Sequence, residues 1–226
     1  MMNLPASAAS AASAASAATA GQRPLRIGDV APDFQARSTL GPVKLSDYRG
    51  KWLVFFSHPA DFTPVCTSEF VAIAKAAEAF AALDCGLLGL SVDSLYSHLA
   101  WVRAIRDGFD VTIPFAIVED PSMAIGRAYG MIEPDSPDSS AVRATYFIDP
   151  EGVIRAMTWY PLTVGRSVDE MLRMVAALQR TAGGDATAPA GWRPGDDLLA
   201  TAPQHQHGVL AGNDRVWFCS TEADGK

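Results

Sequence analysis

The sequence predicts an α/β fold with a partly parallel central sheet. Four apolar runs have the composition of buried strands, and they span residues 52–57, 86–92, 115–118 and 142–148. Helical patterns separate the first three runs, and strands that alternate with helices form parallel sheets. After the fourth run, the turn at 149–152 leads into residues 153–159, which predicts an antiparallel hairpin.

Three helices are predicted from apolar residues spaced three or four positions apart. The first begins near Cys66, and its apolar face consists of Phe70, Ile73, Ala74, Ala77 and Phe80. The second is indicated by Leu99, Val102, Ile105 and Arg106. The last ends at Gly183 and Gly184, and its apolar face consists of Val168, Met171, Leu172, Val175, Ala176 and Leu178.

Length and composition limit the classes of function. At 226 residues and 49% hydrophobic content, the chain can bury one substantial core. A net charge of -7 argues against a nucleic-acid partner, which would require clustered Lys and Arg. No apolar run reaches the roughly 18 to 20 residues of a membrane span, so we expect no membrane partner. Three cysteines fit a reducing compartment and predict a cytoplasmic location.

The composition divides the chain into three segments. Residues 1–24 contain an Ala/Ser-rich tract with little to bury, which predicts a disordered extension, with an export or targeting role as the alternative. Residues 25–184 carry the predicted strands and helices and form the main domain. In residues 185–226 the composition changes to Pro, Gly and His, so we expect an arm packed on the body or at a dimer interface.

Cys66 is the first candidate for chemistry, because it follows the 52–57 strand at the start of a helix. Thr63 is a good N-cap residue, and Pro64 fits the first helical position. Cys66 then falls in the first turn, where free N–H groups and the helix dipole favour a thiolate, the nucleophilic form. The alternative is a small buried hydrophobe, as most free cysteines are. A dithiol reductase would need a second Cys three residues on, and none is present.

The segment around Cys66 carries a family resemblance. Residues 59–70, PADFTPVCTSEF, resemble the peroxidatic-cysteine loop of the peroxiredoxins, in which Pro, three residues, Thr, two residues and Cys follow one another. Residues 27–34 and 45–52 resemble the family's entry segment and its lead into the central strand. Further segments, at 91–94 with His98 and Trp101 and then at 160–170, are similar to the one-cysteine branch of the AhpC/TSA family, related to peroxiredoxin six.

The resemblance covers roughly residues 25 to 220. It implies a thioredoxin-like fold with peroxiredoxin insertions and a C-terminal arm. It also implies a homodimer or a larger homo-oligomer.

The same resemblance implies a set of catalytic residues around Cys66. Thr63 would lie beside the sulfur and hydrogen-bond the peroxide, in addition to capping the helix. Pro59 would shield the thiolate, unless it is an ordinary loop proline. Arg143 lies in an apolar strand pattern, where an arginine must meet an anion. The family places its catalytic arginine in this strand, and a structural ion pair with Glu69 or an Asp is the alternative.

Three further residues would support the site. Arg166 matches the family's second arginine, although a surface arginine that caps the next helix would give the same pattern. Glu69 lies one helical turn after Cys66 and would orient an arginine. His58 matches the one-cysteine branch, and without that resemblance we would interpret it as a satisfied loop histidine.

The other two cysteines lead to different expectations. Cys85 borders the apolar run at 86–92, which predicts a buried and inert thiol. Ala188 occupies the position at which two-cysteine members of the family carry their resolving cysteine. Residues 216–219 resemble the C-terminal segment of some archaeal-type relatives, so Cys219 is a candidate for resolving a sulfenic acid at Cys66. An unpaired Cys219 is the alternative.

The position of Cys66 and the resemblance together predict a thiol-specific peroxidase. It would reduce hydrogen peroxide and organic hydroperoxides through a cysteine sulfenic acid. We expect no metal or organic cofactor, and regeneration by a small thiol or a thioredoxin-like protein. A peroxide sensor or holdase that uses the same cysteine is the alternative.

Overall fold

The computed structural model describes residues 23–132, 136, 138–211 and 215–224. Most of the predicted Ala/Ser-rich extension, 1–24, lies outside these residues, so its disorder stays a prediction. The predicted boundary between the main domain and the C-terminal arm also stays a prediction.

Among the described residues, seven strands form the central sheet in the order β2-β1-β5-β4-β3-β6-β7. Their bounds are Gln35–Ser38 (β1), Gly41–Lys44 (β2), Trp52–Ser57 (β3), Cys85–Ser91 (β4), Ala116–Glu119 (β5), Arg143–Ile148 (β6) and Ile154–Tyr160 (β7). Strands β3, β4 and β5 run parallel, and β6 is antiparallel to both β3 and β7. The predicted α/β class, with its parallel core and its hairpin, is confirmed.

The described residues contain helices with the bounds Pro64–Lys75 (α1), Ala77–Ala82 (α2), Leu95–Phe109 (α3), Ala124–Ala128 (α4), Val168–Thr181 (α5) and Gln206–Ala211 (α6). The three predicted helices are present among them, the first divided in two, whereas α4 and α6 are not predicted by the apolar spacing. The prediction of one continuous helix from Cys66 to Phe80 is wrong. Ala76 adopts φ -94° and ψ 0°, and this interrupts the helix between α1 and α2. Helix α5, the last of the three predicted helices, ends at Thr181, before the two predicted terminating glycines.

The hairpin of β1 and β2 is absent from the sequence-based prediction. The two strands pair from Gln35 with Lys44 to Ser38 with Gly41. Each strand has only four residues and a mostly exposed or half-buried pattern, so neither forms an apolar run. Gly41 has φ +106°, a left-handed conformation that glycine adopts without strain. The sheet is therefore extended by an edge that hydrophobicity alone does not reveal.

Both faces of the central sheet are covered, and every residue of β3 is buried. Val54 and Phe56 face one core cluster, which also contains Cys66, whereas Leu53 and Phe55 face the other. This alternation follows from the two-residue period of a strand. Because β3 is fixed by packing on both faces, the loop that leaves its carboxyl end starts from a rigid support.

The C-terminal segment packs in part on the main body. Trp192 and Leu198 are buried in a small cluster with Ala176 and Ala177 of α5. Two short strands, Leu198–Leu199 (β8) and Thr221–Glu222 (β9), pair antiparallel. Its predicted packing at a dimer interface stays a prediction.

Candidate active site

Strand β3, the loop at 58–63 and helix α1 together place Cys66. Thr63 has the extended backbone of an N-cap residue, with φ -90° and ψ 148°, and Pro64 is the first helical residue. Cys66 therefore lies in the first turn of α1, where backbone N–H groups have no helical partner. Its side chain is fully buried. The dipole of α1 thus places its positive end at a sulfur that is shielded from bulk water.

Arg143 reaches the same sulfur from β6. Its Nη1 lies 3.3 Å from Cys66 Sγ. Strand β6 runs antiparallel to β3 and pairs Thr145 with Phe56, so Arg143 lies beyond the carboxyl end of β3. The Ser57 hydroxyl donates to Val142 O at 2.5 Å and accepts from Ala144 N at 3.2 Å. Both neighbours of Arg143 are thereby tied to the end of β3.

Glu69 connects two buried arginines. Its Oε2 lies 2.7 Å from Arg143 Nη1 and 2.9 Å from Arg166 Nη2. Its Oε1 accepts from the Nε of Arg166 at 2.9 Å. All three side chains are buried. Arg143 thus contacts both the carboxylate and the sulfur, whereas Arg166 contacts the carboxylate and not the sulfur. The alternative of a surface position for Arg166 is wrong.

The charges of this cluster leave a place for one further anion. Two guanidinium groups carry two positive charges, and Glu69 supplies one negative charge. Burial alone would raise the pKa of Glu69, but the hydrogen bonds from Arg166 and the charges of both arginines outweigh it and lower the pKa. With Glu69 ionised, one positive charge remains, and a thiolate at Cys66 would neutralise it.

A backbone carbonyl fixes the other side of the Arg143 guanidinium. Leu162 O accepts from Arg143 Nε at 3.0 Å and from Nη2 at 2.8 Å. Nη1 contacts the sulfur and Glu69, so all three nitrogens of the guanidinium have a hydrogen-bond partner. The sequence gives no signal for this contact, since every residue carries a carbonyl.

Thr63 takes the N-cap position, but its side chain makes no capping hydrogen bond. Its hydroxyl donates instead to Ala60 O at 3.0 Å. The interpretation of Thr63 as a side-chain cap for α1 is therefore wrong, although its location is as predicted. Because the hydroxyl proton is committed to Ala60, the lone pairs of the oxygen are left to accept. Pro59 is buried at the start of the same loop.

His58 follows β3 directly and is fully buried. Its Nε2 lies 2.9 Å from Asp61 Oδ1, and His98 Nδ1 lies 2.8 Å from Asp61 Oδ2. Burial lowers the pKa of His58, and the bond to Asp61 opposes this only in part. Within the described residues, His58 Nδ1 has no hydrogen-bond partner. The interpretation of His58 as a satisfied loop histidine is therefore wrong for one of its two nitrogens.

The two imidazoles and Asp61 are also close enough to hold a metal ion, with their ligand atoms all within 4.8 Å of one another. These atoms already satisfy one another as hydrogen-bond partners. Burial would raise the pKa of Asp61, but the hydrogen bonds from His58 and His98 outweigh it and lower the pKa well below its usual range. We therefore assign this cluster to hydrogen bonding.

Comparison with known proteins shows the family of this chain. Residues 27–157 match the model of the AhpC/TSA family. A peroxiredoxin 2 of Caldanaerobacter subterraneus subsp. tengcongensis is 50% identical over 179 residues, which is 79% of this chain and 81% of the relative. This chain belongs to the AhpC/TSA family, the peroxiredoxins. As a peroxiredoxin it is a thiol-dependent peroxidase, and hence an oxidoreductase.

Two solved structures extend the comparison to the fold. A yeast mitochondrial 1-Cys peroxiredoxin has a TM-score of 0.76 and 35% identity, over 85% of this chain and 95% of that chain. A mutant peroxiredoxin 6 of Arenicola marina has a TM-score of 0.74 and 31% identity, over 83% of this chain and 88% of that chain. The predicted thioredoxin-like fold and the resemblance to the one-cysteine branch are confirmed.

The other two cysteines of this peroxiredoxin have different surroundings. Cys85 is buried, and burial raises the pKa of its thiol to about 12. It lines a cavity of about 630 Å³ near the start of β4 and β5, together with Leu40, Val43, Tyr48, Leu87 and Phe115. Cys66 does not line this cavity. Cys219 is an exposed free cysteine.

Sequence reasoning missed several groups of the site. Asp61 and Asp93 are joined by the hydrogen bond that Asp61 N–H donates to Asp93 Oδ2 at 3.0 Å. Both lie inside the segments that resemble the family, but the resemblance assigns them no role. Asp61 could have been noticed as an acidic residue between Pro59 and Phe62 in a loop that the resemblance already marks as functional. The carbonyls of Ala60 and Leu162 carry no sequence signal at all.

Proposed function

We propose that Cys66 is the peroxidatic residue of this peroxiredoxin. The contact of 3.3 Å between Arg143 Nη1 and the buried sulfur carries this proposal. The guanidinium and the start of α1 would together stabilise the thiolate. The thiolate would attack the terminal oxygen of the peroxide and break its O–O bond. The sulfur would be oxidised to a sulfenic acid, and the other oxygen would leave as an alcohol or water after taking a proton.

Thr63 and Arg143 would then act on the peroxide itself. The oxygen of Thr63 can only accept, because its proton is committed to Ala60 O. It would accept the O–H of the peroxide and thereby direct the attacked oxygen at the sulfur. Arg143 would donate to the oxygens as negative charge moves from sulfur to the leaving oxygen. The buried ring of Pro59 would exclude water from the thiolate, while Arg166 and Glu69 would hold Arg143 in place.

An external thiol would return Cys66 to its reduced form. It would condense with the sulfenic acid to a mixed disulfide and release water, and a second thiol would then reduce that disulfide. We propose a small thiol or a thioredoxin-like protein as this reductant. Exposed Cys219 is the candidate for an internal resolving thiol.

The test of this function is peroxide consumption by Cys66→Ser. We expect complete loss of turnover with hydrogen peroxide or an organic hydroperoxide, with an unchanged circular dichroism spectrum. Cys85→Ala is the matched control, since it removes a buried free thiol that has no role in either catalytic cycle. Turnover that persists in Cys66→Ser would disprove the assignment.

Peptide mapping of peroxide-treated protein without reductant separates the two catalytic cycles. A disulfide between Cys66 and Cys219 would indicate resolution within the protein. Oxidised Cys66 without a disulfide would indicate that the external thiol acts directly.

Complete burial of Cys66 favours one second candidate, a peroxide sensor or holdase. A sulfur without solvent contact requires local movement before a bulky reductant can reach it. Stoichiometric oxidation of Cys66 with very slow turnover at saturating reductant would favour this role.

We also propose that the protein acts as a homodimer. Strand β7 lies at an edge of the sheet. Ile154 at its start exchanges backbone hydrogen bonds with Gly28 and Asp29, but no described strand pairs with the rest of this edge. Trp159, Leu162 and Val164, in or just after β7, are all nearly half exposed. A second copy on this edge would cover them, and light scattering of the purified protein would measure the assembly.

No helix among the described residues has the length and apolar character needed to cross a membrane. A cytoplasmic location remains a proposal that rests on the three cysteines of the chain.

A further inference from the structure

The peptide unit between Ala60 and Asp61 is held at both ends. Its carbonyl accepts the hydroxyl proton of Thr63 at 3.0 Å. Its N–H donates to Asp93 Oδ2, also at 3.0 Å. The atoms of a trans peptide unit lie in one plane, so the directions of these two bonds are coupled. Asp93 therefore influences the orientation of the Thr63 hydroxyl without contacting it.

The Asp61 side chain anchors the same peptide unit a second time. Its carboxylate lies between His58 Nε2, at 2.9 Å, and His98 Nδ1, at 2.8 Å. His98 belongs to α3, and its Nε2 lies 3.3 Å from Val118 O of β5. The carboxylate and both rings are buried. The loop is thus tied to elements that belong to the rigid body of the fold.

Backbone strain at Phe62 explains why such anchors are needed. Phe62 has φ +57°, in the left-handed region that bulky residues rarely adopt. Its side chain is 57% exposed, so its own packing does little to hold this conformation. A strained residue persists only where its surroundings fix it. Asp61 is anchored on one side of Phe62, and Thr63, the N-cap residue of α1, lies on the other.

We propose that Asp61, Asp93 and His98 are positioning residues of this peroxidase. They hold the loop at 59–63 so that the Thr63 hydroxyl proton stays on Ala60 O and its lone pairs stay available to the peroxide. The inference rests on the proposed function, because it assigns these residues to the peroxide step at Cys66.

This role predicts a selective defect. Peroxide requires the oriented hydroxyl of Thr63, whereas alkylation of Cys66 by iodoacetamide does not. Loss of an anchor should therefore slow the reaction with peroxide and leave alkylation nearly unchanged. A residue that merely supports the fold would change both rates together.

The experiment compares the two second-order rate constants of Cys66 under single-turnover conditions. We expect Asp93→Ala and His98→Leu each to slow the peroxide reaction about tenfold or more, as misplaced catalytic groups do. Alkylation should change less than about twofold, as expected where reactivity of the thiolate is preserved. Equal loss in both reactions, or no loss in either, would overturn the proposal.

Conservative variants sharpen the result. Asp93→Asn keeps a side-chain oxygen that can accept from Asp61 N–H, and His98→Asn keeps an amide donor near the position of Nδ1. Both should recover most of the lost peroxide rate. Failure of both to exceed the Ala and Leu variants would contradict a role through these hydrogen bonds. Asp107→Ala and His207→Leu are matched controls, since both residues are exposed.

A measurement on the unmodified protein covers the case in which the variants fail to fold. The chain has 4 histidines, so nitrogen-15 spectra of their rings are tractable. We expect a slowly exchanging Nδ1–H proton on His98. Its absence would overturn the proposal, whereas turnover in Cys66→Ser would overturn the proposed function instead.

Discussion

Cys66 and Cys85 are both buried thiols in the same core cluster, yet they lie at opposite ends of the sheet. Cys85 pairs with Trp52 at the start of β3, whereas Cys66 follows the end of that strand. The sulfur of Cys66 meets a guanidinium and the start of a helix. The thiol of Cys85 lies among apolar side chains instead, with a long contact of 3.5 Å to the carbonyl of Gly86.

The difference teaches that burial alone does not make a cysteine reactive. Burial raises the pKa of Cys85 to about 12, which keeps this thiol protonated at neutral pH. At Cys66, the Arg143 guanidinium lies beside the sulfur in similarly apolar surroundings. The site therefore depends on whatever holds Arg143 beside the sulfur.

The largest expected effect comes from removing that cation. Arg143→Met should slow the reaction of Cys66 with hydrogen peroxide about a hundredfold or more, because a preorganised donor to the developing charge is lost. The peroxide rate of Arg143→Lys should lie between those of Arg143→Met and the unmodified protein, since lysine keeps the charge but not the planar guanidinium. Stopped-flow measurement of the peroxide reaction checks both variants.

Arg155→Met is the matched control for this prediction. Arg155 lies on the neighbouring strand β7, and its half-exposed side chain pairs with Asp149. Its peroxide rate should be close to that of the unmodified protein. A rate for Arg143→Met within threefold of that control would show, by the usual conversion of rates into free energies, that this cation contributes less than about 1 kcal/mol.

The next effect is on stability. Glu69→Gln should lower the free energy of unfolding by about 3 kcal/mol or more, because two buried arginines lose their shared carboxylate. Urea unfolding at neutral pH measures this loss. Glu78→Gln is the control, since Glu78 lies exposed on α2, and its change should stay within about 0.5 kcal/mol.

The difference in stability between the unmodified protein and Glu69→Gln should depend on pH, and the sign of this dependence is defined. The pKa of Glu69 in the folded protein is lowered below its ordinary value of 4.5. Its contribution is therefore complete above the pKa of the unfolded chain and is lost as pH falls through the folded value. The gap in stability between the unmodified protein and Glu69→Gln should shrink below about pH 4. A gap that widens in acid would contradict the assigned role of the carboxylate.

The contrast between the two cysteines was predictable in part. The apolar run of β3 and the Thr63-Pro64 pair predict where Cys66 lies, because strand burial and helix starts are local properties. Arg143 lies inside the apolar pattern of β6. The sequence therefore also indicates that this arginine must meet a buried anion. Those predictions depend on short stretches of chain, and the structure places Cys66 in the first turn of α1 and Arg143 in β6.

Other parts of the site depend on contacts that no local pattern records. Leu162 O is fixed on Arg143 only once β6 and β7 have paired. The hydrogen bond from Asp61 N to Asp93 joins residues 32 positions apart. The break at Ala76 also lacks a local signal, since no proline or glycine occurs between Pro64 and Ala82.

The smallest expected effects are at Cys85. Cys85→Ala should leave the peroxide rate unchanged, since the only change is loss of a buried sulfur far from Arg143. Stability should fall by about 1 kcal/mol for the small cavity that remains, which corresponds to about 2–4 °C in melting temperature.

Iodoacetamide should label Cys85 in the native protein only after Cys66 and exposed Cys219, because a thiol with a pKa of about 12 offers little thiolate. Peptide mapping of partly alkylated protein gives this order. Labelling of Cys85 before Cys66 would mean that the Arg143 guanidinium does not make Cys66 the more reactive of the two buried thiols.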